Sequence, residues 1–409
     1  MEIFPMKPRI PPLAMIRAIP ALVLALPLSA YAETPLRIDA GFPGGNISVG
    51  EISGNDVKLR PDIRDTKGSW FYWNFRISGA AGKTITFQFT EGSPIGVRGP
   101  AVSTDDGSTW KWLGEPKDTK SFGYTFPAET GTARFAFAPP YTQKNLDAFL
   151  EGIGPNPSLR KETLCQSRKG RNVERLHVGK LDGDPDYRVL ITCRSHACEM
   201  MMSHSVEGLI RAALASDERG QWFRDHVEMA VIPFVDKDGV EEGDQGKNRL
   251  PRDHNRDYDA NALYPETRAL QASVPKWSAG KKLIALDLHC PHIRGVTNEK
   301  IYAVGSEHPE MEKNILRFSE LLERGRKGPL PYLASDNIAF GKDWNTAANF
   351  KAGTNCSRWA ATIPGIDLAC TFELPYANTK GAEVNAGSAR AFGEDLATAI
   401  RAYLETAAK

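Results

Sequence analysis

From about Glu33 to Pro139 the chain alternates apolar and polar residues with a period of two. In SWFYWNFRISGAAGKTITFQF, Phe71, Trp73, Phe75 and Ile77 share one face of a first run, and Ile85, Phe87 and Phe89 share one face of a second. The glycines at 79 and 82 turn the chain between them. SFGYTF and ARFAFA repeat the alternation around Glu129-Thr130-Gly131. Strands with regular turn signals predict an all-β sandwich of roughly 100 residues. Trp110 and Trp112 follow the turn-like Asp105-Asp106-Gly107 and would form either a sugar-stacking platform or, as aromatic side chains in small sandwiches usually do, part of the core.

After Pro139-Pro140 the period changes. Apolar runs of strand length (188–193, 228–234, 282–289 and 367–374) alternate with segments of helical spacing (200–215, 309–324 and 388–404), which predicts an α/β domain. The stretch 325–360 is rich in Gly, Pro, Asn and aromatic residues without a period and reads as a long surface loop that contributes to a site. Two domains, 33–139 and 140–409, suit a chain of 409 residues.

Residues 1–32 have a separate pattern. Basic residues extend to Arg17, Ala18 to Leu28 is apolar, and Ala30-Tyr31-Ala32 is a small-x-small cleavage signal. The expectation is a signal peptide cut after Ala32 and a periplasmic or secreted protein. The apolar segment is short for a bilayer span, so no stable membrane anchor is expected. The formal charge is +1, and Lys7, Arg9 and Arg17 against Glu2 place +2 of it in this segment, which leaves −1 for the rest and argues against a nucleic-acid partner. The six cysteines are scattered, and four of them (Cys193, Cys198, Cys290 and Cys370) fall near strand ends, as buried thiols do.

Chemistry concentrates at the predicted strand ends. In RVLITCRSHACEMMMSHSVEG a strand-like run leads into a helical one, with His196 and Glu199 at the junction. An imidazole and a carboxylate three residues apart can face one cation beyond the strand end, where open α/β sheets keep their sites. The spacing recurs at His204 and Glu207, but two turns into the helix, where a histidine more often packs than ligates. LIALDLHCPH brings His289 and His292 to another strand end, with Asp287 placed to orient an imidazole. GKNRLPRDHNRDYD gathers Arg249, Arg252, Asn255 and Arg256, a set suited to fork-like recognition of a carboxylate or, more plainly, to a solvated loop with surface ion pairs. TFELPY ends a strand in Glu373, a carboxylate able to take a proton from water.

These elements, in this order, resemble the zinc carboxypeptidase family. His196-x-x-Glu199 and His289 match its three metal ligands, FVDKDGV its loop before the substrate-binding segment, DHNRDY its Asn-Arg pair and TFELP its catalytic glutamate segment. WFYWNFRISGAAGKTITFQF and FAFAPPYTQKNLDAFL resemble the sandwich and following segment of its cytosolic-carboxypeptidase-like branch, so the chain looks like an exported bacterial relative of that branch.

The resemblance implies a mixed-sheet catalytic domain behind the sandwich and one zinc per chain on His196, Glu199 and His289. It makes Glu373 the general base and Arg249 the oxyanion-stabilising arginine. Asn255 and Arg256 would grip the terminal carboxylate of a peptide or protein, which makes the enzyme an exopeptidase. Phe350 stands where many members carry a mobile tyrosine, and Arg358 stands where a basic residue would select acidic C-terminal side chains; with Ser357 at that place instead, the pocket would be small and neutral. The alternatives are a zinc deacylase or amidase on the same scaffold, acting on an N-acyl amino acid or cell-wall peptide, and a catalytically silent binding protein. The full ligand set with its glutamate argues against silence.

Overall fold

The two strictest alternating runs become strands of opposing sheets in the computed structural model. Asn74–Ser78 lies in a five-stranded sheet (Arg37–Asp39, Asn74–Ser78, Ala133–Ala136, Ala101–Ser103, Lys111–Trp112, in spatial order), and Thr84–Phe89 in a four-stranded one (Ser48–Ser53, Asp56–Arg60, Thr84–Phe89, Ser121–Thr125). Their apolar faces meet. The Phe87 ring lies 5.4 Å from Phe75 and 5.2 Å from Phe135, and Trp73, Phe75, Ile77, Ile85, Phe87 and Phe135 are fully buried. At about 1.5–3 kcal/mol for each large apolar side chain buried, this aromatic seam is what joins the sheets. Trp112 packs against the same core and donates its Nε1–H to the Val384 carbonyl, so it is a packing residue and not a platform.

The structure describes residues 1–6, 8, 9, 34–68 and 70–406. The apolar segment and cleavage signal expected before residue 33 lie outside them. The chain divides into Met1–Thr34 and Pro35–Lys409, and every strand and helix of the described residues falls in the second unit. Among the described residues no helix is long and apolar enough to cross a membrane.

The α/β part is a mixed seven-stranded sheet in the order Leu159–Gln166, Asn172–Gly179, Val227–Ile232, Tyr187–Cys193, Lys282–His289, Ile366–Glu373, Tyr302–Val304. The four strands from Val227–Ile232 to Ile366–Glu373 run parallel, and the outer ones pair antiparallel. Covered on both faces, the parallel strands read as continuous apolar runs. After Tyr187–Cys193 the chain adds a strand on one side and then returns to add Lys282–His289 on the other. That reversal leaves a crevice at the strand ends. The helices Met201–Leu214 and Ala386–Thr406 cross closely because Gly208 faces the Arg390 carbonyl and Gly393 that of Ser205, each leaving no room for a Cβ.

Stretch 325–360 has short 3-10 turns at Ala334–Asp336 and Ala347–Phe350 and a helix at Cys356–Ala360. All six cysteines are free thiols.

Candidate active site

Strand register assembles the site. Cys193 lies beside Leu288, and His289 beside Glu373, so three adjacent parallel strands end together at the crevice. The segment between the strand ending at Cys193 and the helix beginning at Met201 is shaped by Arg194, a fully buried residue with left-handed backbone (φ +60°). Its guanidinium donates to the carbonyls of Ala197 (3.0 Å) and Tyr141 (2.9 Å) and to Ser203 Oγ (3.1 Å), bracing the turn that carries His196 and Glu199. Gly246 (φ +80°) presses on that turn from outside, where any Cβ would meet the Ala197 nitrogen at 2.3 Å. A side chain larger than hydrogen there would push the two segments apart.

His196, Glu199 and His289 are buried, and one ligand atom of each lies within 4.8 Å of the others. His196 Nδ1 is 2.8 Å from Glu199 Oε1, and His289 Nδ1 is 2.7 Å from Glu199 Oε2. The second contact is not a hydrogen bond: Glu199 Oε2 is buried without a partner. His196 Nδ1 and Glu199 Oε1 are within hydrogen-bond distance of each other, while Glu199 Oε2 is left open toward His289. On the far side of each ring a carboxylate accepts from Nε2, Asp253 (3.1 Å) for His196 and Asp287 (2.8 Å) for His289. That fixes the tautomer and turns each Nδ1 lone pair inward, the arrangement typical of metal-binding imidazoles. Two such nitrogens and a carboxylate suit zinc, with a coordination position to spare.

The electrostatics agree. Burial alone would raise the Glu199 carboxyl, but His196, Lys247 and His289 outweigh it and hold it well below the usual range. Burial lowers both imidazoles, and their carboxylate neighbours more than reverse this. Glu373 lies beside the triad with a buried, unpartnered Oε2, and burial pushes its carboxyl up to about 7, opposed by His289 and assisted by Glu199. A carboxyl near neutrality is suited to both taking and returning a proton.

The triad opens into a cleft of about 390 Å³ whose lining includes His196, Glu373, Asn255, Arg256 and Phe350, and Trp70 from the loop before the sandwich strand Asn74–Ser78. Arg256 is held by the side chain of Asn349 (2.9 Å) and the carbonyl of Asn255 (2.7 Å).

Comparison with known proteins agrees with this geometry. Residues 147–280 match the zinc carboxypeptidase family model, and 38–137 match the cytosolic carboxypeptidase N-terminal domain. Over these two segments the chain is similar to the zinc carboxypeptidases and their cytosolic branch.

Human cytosolic carboxypeptidase 2 is 25% identical over 58% of the chain, which spans 30% of that protein. Cytosolic carboxypeptidase 6 of Caenorhabditis elegans is 23% identical over 62% of the chain and 62% of its own length, so the chain spans less than two thirds of either. The fold is that of the metallo-carboxypeptidase from Burkholderia cenocepacia (TM-score 0.75, 21% identity, 91% of this chain and 100% of that one). The family match stops short of His289 and Glu373, which only the sheet register brings to the site.

Against the resemblance to that family, the structure departs from expectation at two residues. Arg249 does not line the cleft. Its guanidinium is enclosed by Asp236 (2.6 Å), Asp244 (2.8 Å) and, at 3.7 Å, Asp65 from the sandwich part. Three carboxylates crowd one cation here, and burial pushes Asp244 up to about 7 despite Arg249. Asp65 also accepts from the backbone N–H of Gln245 and Gly246, and the Gln245 side chain accepts from those of Phe71 and Tyr72, so this cluster ties the sandwich part to the loop that carries Gly246 and Arg249.

Arg358 likewise lies outside the cleft. It lines a small adjoining hollow, pairs with Glu307, and stacks over Phe350 at 4.3 Å. Its charge is already answered, so the geometry does not support selection of an acidic side chain by Arg358.

Two residues beside the triad were not singled out from sequence. Asp253 sits two positions before Asn255, and only the fold shows that it reaches His196. Lys247, in a basic run that reads as solvated, is partly buried with its ammonium on Glu199 and the Cys290 carbonyl (2.9 Å).

Proposed function

We propose that this protein is a zinc-dependent metallocarboxypeptidase that removes C-terminal residues from peptides or proteins. The observation that carries this is the convergence of His196, Glu199 and His289, with His196 lining a cleft that also holds Glu373, Asn255 and Arg256. Zinc held by that triad would supply a Lewis acid and bring the pKa of a bound water toward about 7.

The chain's own residues do the rest. Asp253 and Asp287 keep the two imidazoles in place. Glu373 takes the proton from the attacking water and passes it to the departing amine. Arg256 and the Asn255 amide hold the terminal carboxylate, and that grip selects the last peptide bond. With Arg358 paired to Glu307, we propose no preference for acidic C-terminal residues on its account. Export with cleavage after Ala32 remains part of the proposal on the sequence pattern alone, and N-terminal sequencing of protein from the periplasm or medium tests it.

A mixed peptide library incubated with the zinc-loaded protein and read by mass spectrometry tests the activity. The expected product is a ladder shortened from the C-terminus. Release of acyl groups from N-acyl amino acids with intact peptides would instead make the protein a deacylase.

A further inference from the structure

We infer that Lys247 is the cationic side chain that faces the scissile carbonyl, and that its ammonium competes with the metal for Glu199. The inference rests on the metallocarboxypeptidase reading above and deepens it. A tetrahedral addition places negative charge on the carbonyl oxygen, and a fixed donor at that oxygen is worth a large part of the rate. Arg249 cannot serve as placed: Asp65, Asp236 and Asp244 hold its guanidinium away from the cleft lining.

Lys247 is two residues away on the same loop and lines the cleft together with His196, Glu373, Asn255 and Arg256. Its position is built. Gly246, immediately before it, packs against the His196 backbone so closely that no side chain fits, and Asn248, immediately after it, donates its N–H to Asp253 (3.0 Å). The loop that presents Lys247 is therefore fastened on both sides to the turn and the carboxylate that position His196.

Glu199 Oε1 lies against His196 Nδ1 and also accepts from the Lys247 ammonium. A dication shared by His196, Glu199 and His289 repels an ammonium at that distance and takes the same carboxylate oxygens. The flexible four-carbon stem lets the ammonium turn into the cleft that it already lines, while its proton stays on nitrogen and it donates a hydrogen bond to the carbonyl oxygen.

The two parts of the inference predict changes of opposite sign in one variant. Lys247→Met removes the charge and keeps the stem. Its zinc affinity, measured by competition with a chromogenic chelator, should rise about tenfold, as one competing charge-assisted hydrogen bond is removed. Its kcat should fall by about 10²-fold, with KM changed much less. Lys247→Arg should recover part of the kcat.

A residue that merely braces the loop would lower zinc affinity and kcat together, so a Lys247→Met protein that binds zinc no more tightly than wild type overturns the inference. A kcat within threefold of wild type overturns the carbonyl-facing part. The chelator measurement needs no turnover. If affinity rises but wild type releases no C-terminal residue, the peptidase reading fails and the competition for Glu199 stands.

Discussion

The chain carries two His-x-x-Glu pairs eight residues apart, His196/Glu199 and His204/Glu207, and the fold gives them opposite environments. In the first, each imidazole has a carboxylate behind it and the glutamate keeps a buried oxygen without a hydrogen bond. In the second, His204 lies 4.0 Å from Glu207, beyond hydrogen-bond reach, and neither of its ring nitrogens has a partner. Burial lowers the pKa of that imidazole, and it meets the Tyr141 ring edge-on at 5.1 Å. Glu207 is already engaged by the Tyr141 hydroxyl (2.8 Å) and Arg390 (2.5 Å). Spacing alone does not make a metal site. A third ligand, second carboxylates behind the rings and an opening to a cleft do, and among the described residues only the first pair has them.

The largest difference between the pairs should appear in turnover. Glu373→Gln at the first site removes the proton acceptor at almost constant volume, and kcat should fall by about 10²–10⁴-fold while zinc content stays at one per chain. Activity within a few-fold of wild type would mean that another group activates the water. Next comes the carboxylate behind the third ligand. Asp287→Asn should weaken zinc binding by about 10–100-fold in chelator competition, because the His289 ring loses the acceptor that fixes its tautomer. An unchanged affinity would make Asp287 a packing residue and narrow the contrast with His204.

The second pair should fail in stability, not chemistry. Glu207→Gln leaves Arg390 without its carboxylate, and denaturant unfolding should show a loss of about 1–3 kcal/mol with kcat within a few-fold of wild type. A lost zinc would break the comparison outright.

The smallest effect concerns a carboxylate with neither a metal nor a strong partner. Burial pushes Glu266, at the start of the helix Pro265–Trp277, up to about 8. An acid raised in the folded state binds more protons folded than unfolded between the two values. Stability from this group is therefore full below about 4.5 and is lost as pH rises toward 8. The Tm of wild type should fall across that window by more than the Tm of Glu266→Gln, and parallel curves would place Glu266 in an ordinary solvated setting.

Much of this was legible in the chain, for identifiable reasons. The strands around Phe75 and Phe87, and those ending at Cys193, His289 and Glu373, announce themselves because alternation or continuous apolarity reflects one buried face or two. The edge strand Leu159–Gln166 does not, since it mixes charges into half-exposed positions, and its neighbour Asn172–Gly179 is masked by the buried polar residues Glu174 and His177 among its apolar ones. The helix Pro265–Trp277 is likewise hidden by Pro275 within it. The three ligands and Glu373 could be proposed because they stand at strand ends in recognisable motifs. The roles of Arg249, Lys247 and Arg358 could not be separated in sequence. Which cation faces the cleft depends on carboxylates distant in the chain: Asp65 is 184 residues from Arg249, and Glu307 is 51 from Arg358.

Zinc content measured by elemental analysis on wild type, His196→Ala and His204→Gln, purified alike, puts the central claim to the most direct test. Wild type and His204→Gln should each hold one zinc per chain, and His196→Ala almost none. Zinc retained at one per chain in His196→Ala, or lost in a folded His204→Gln, would contradict it.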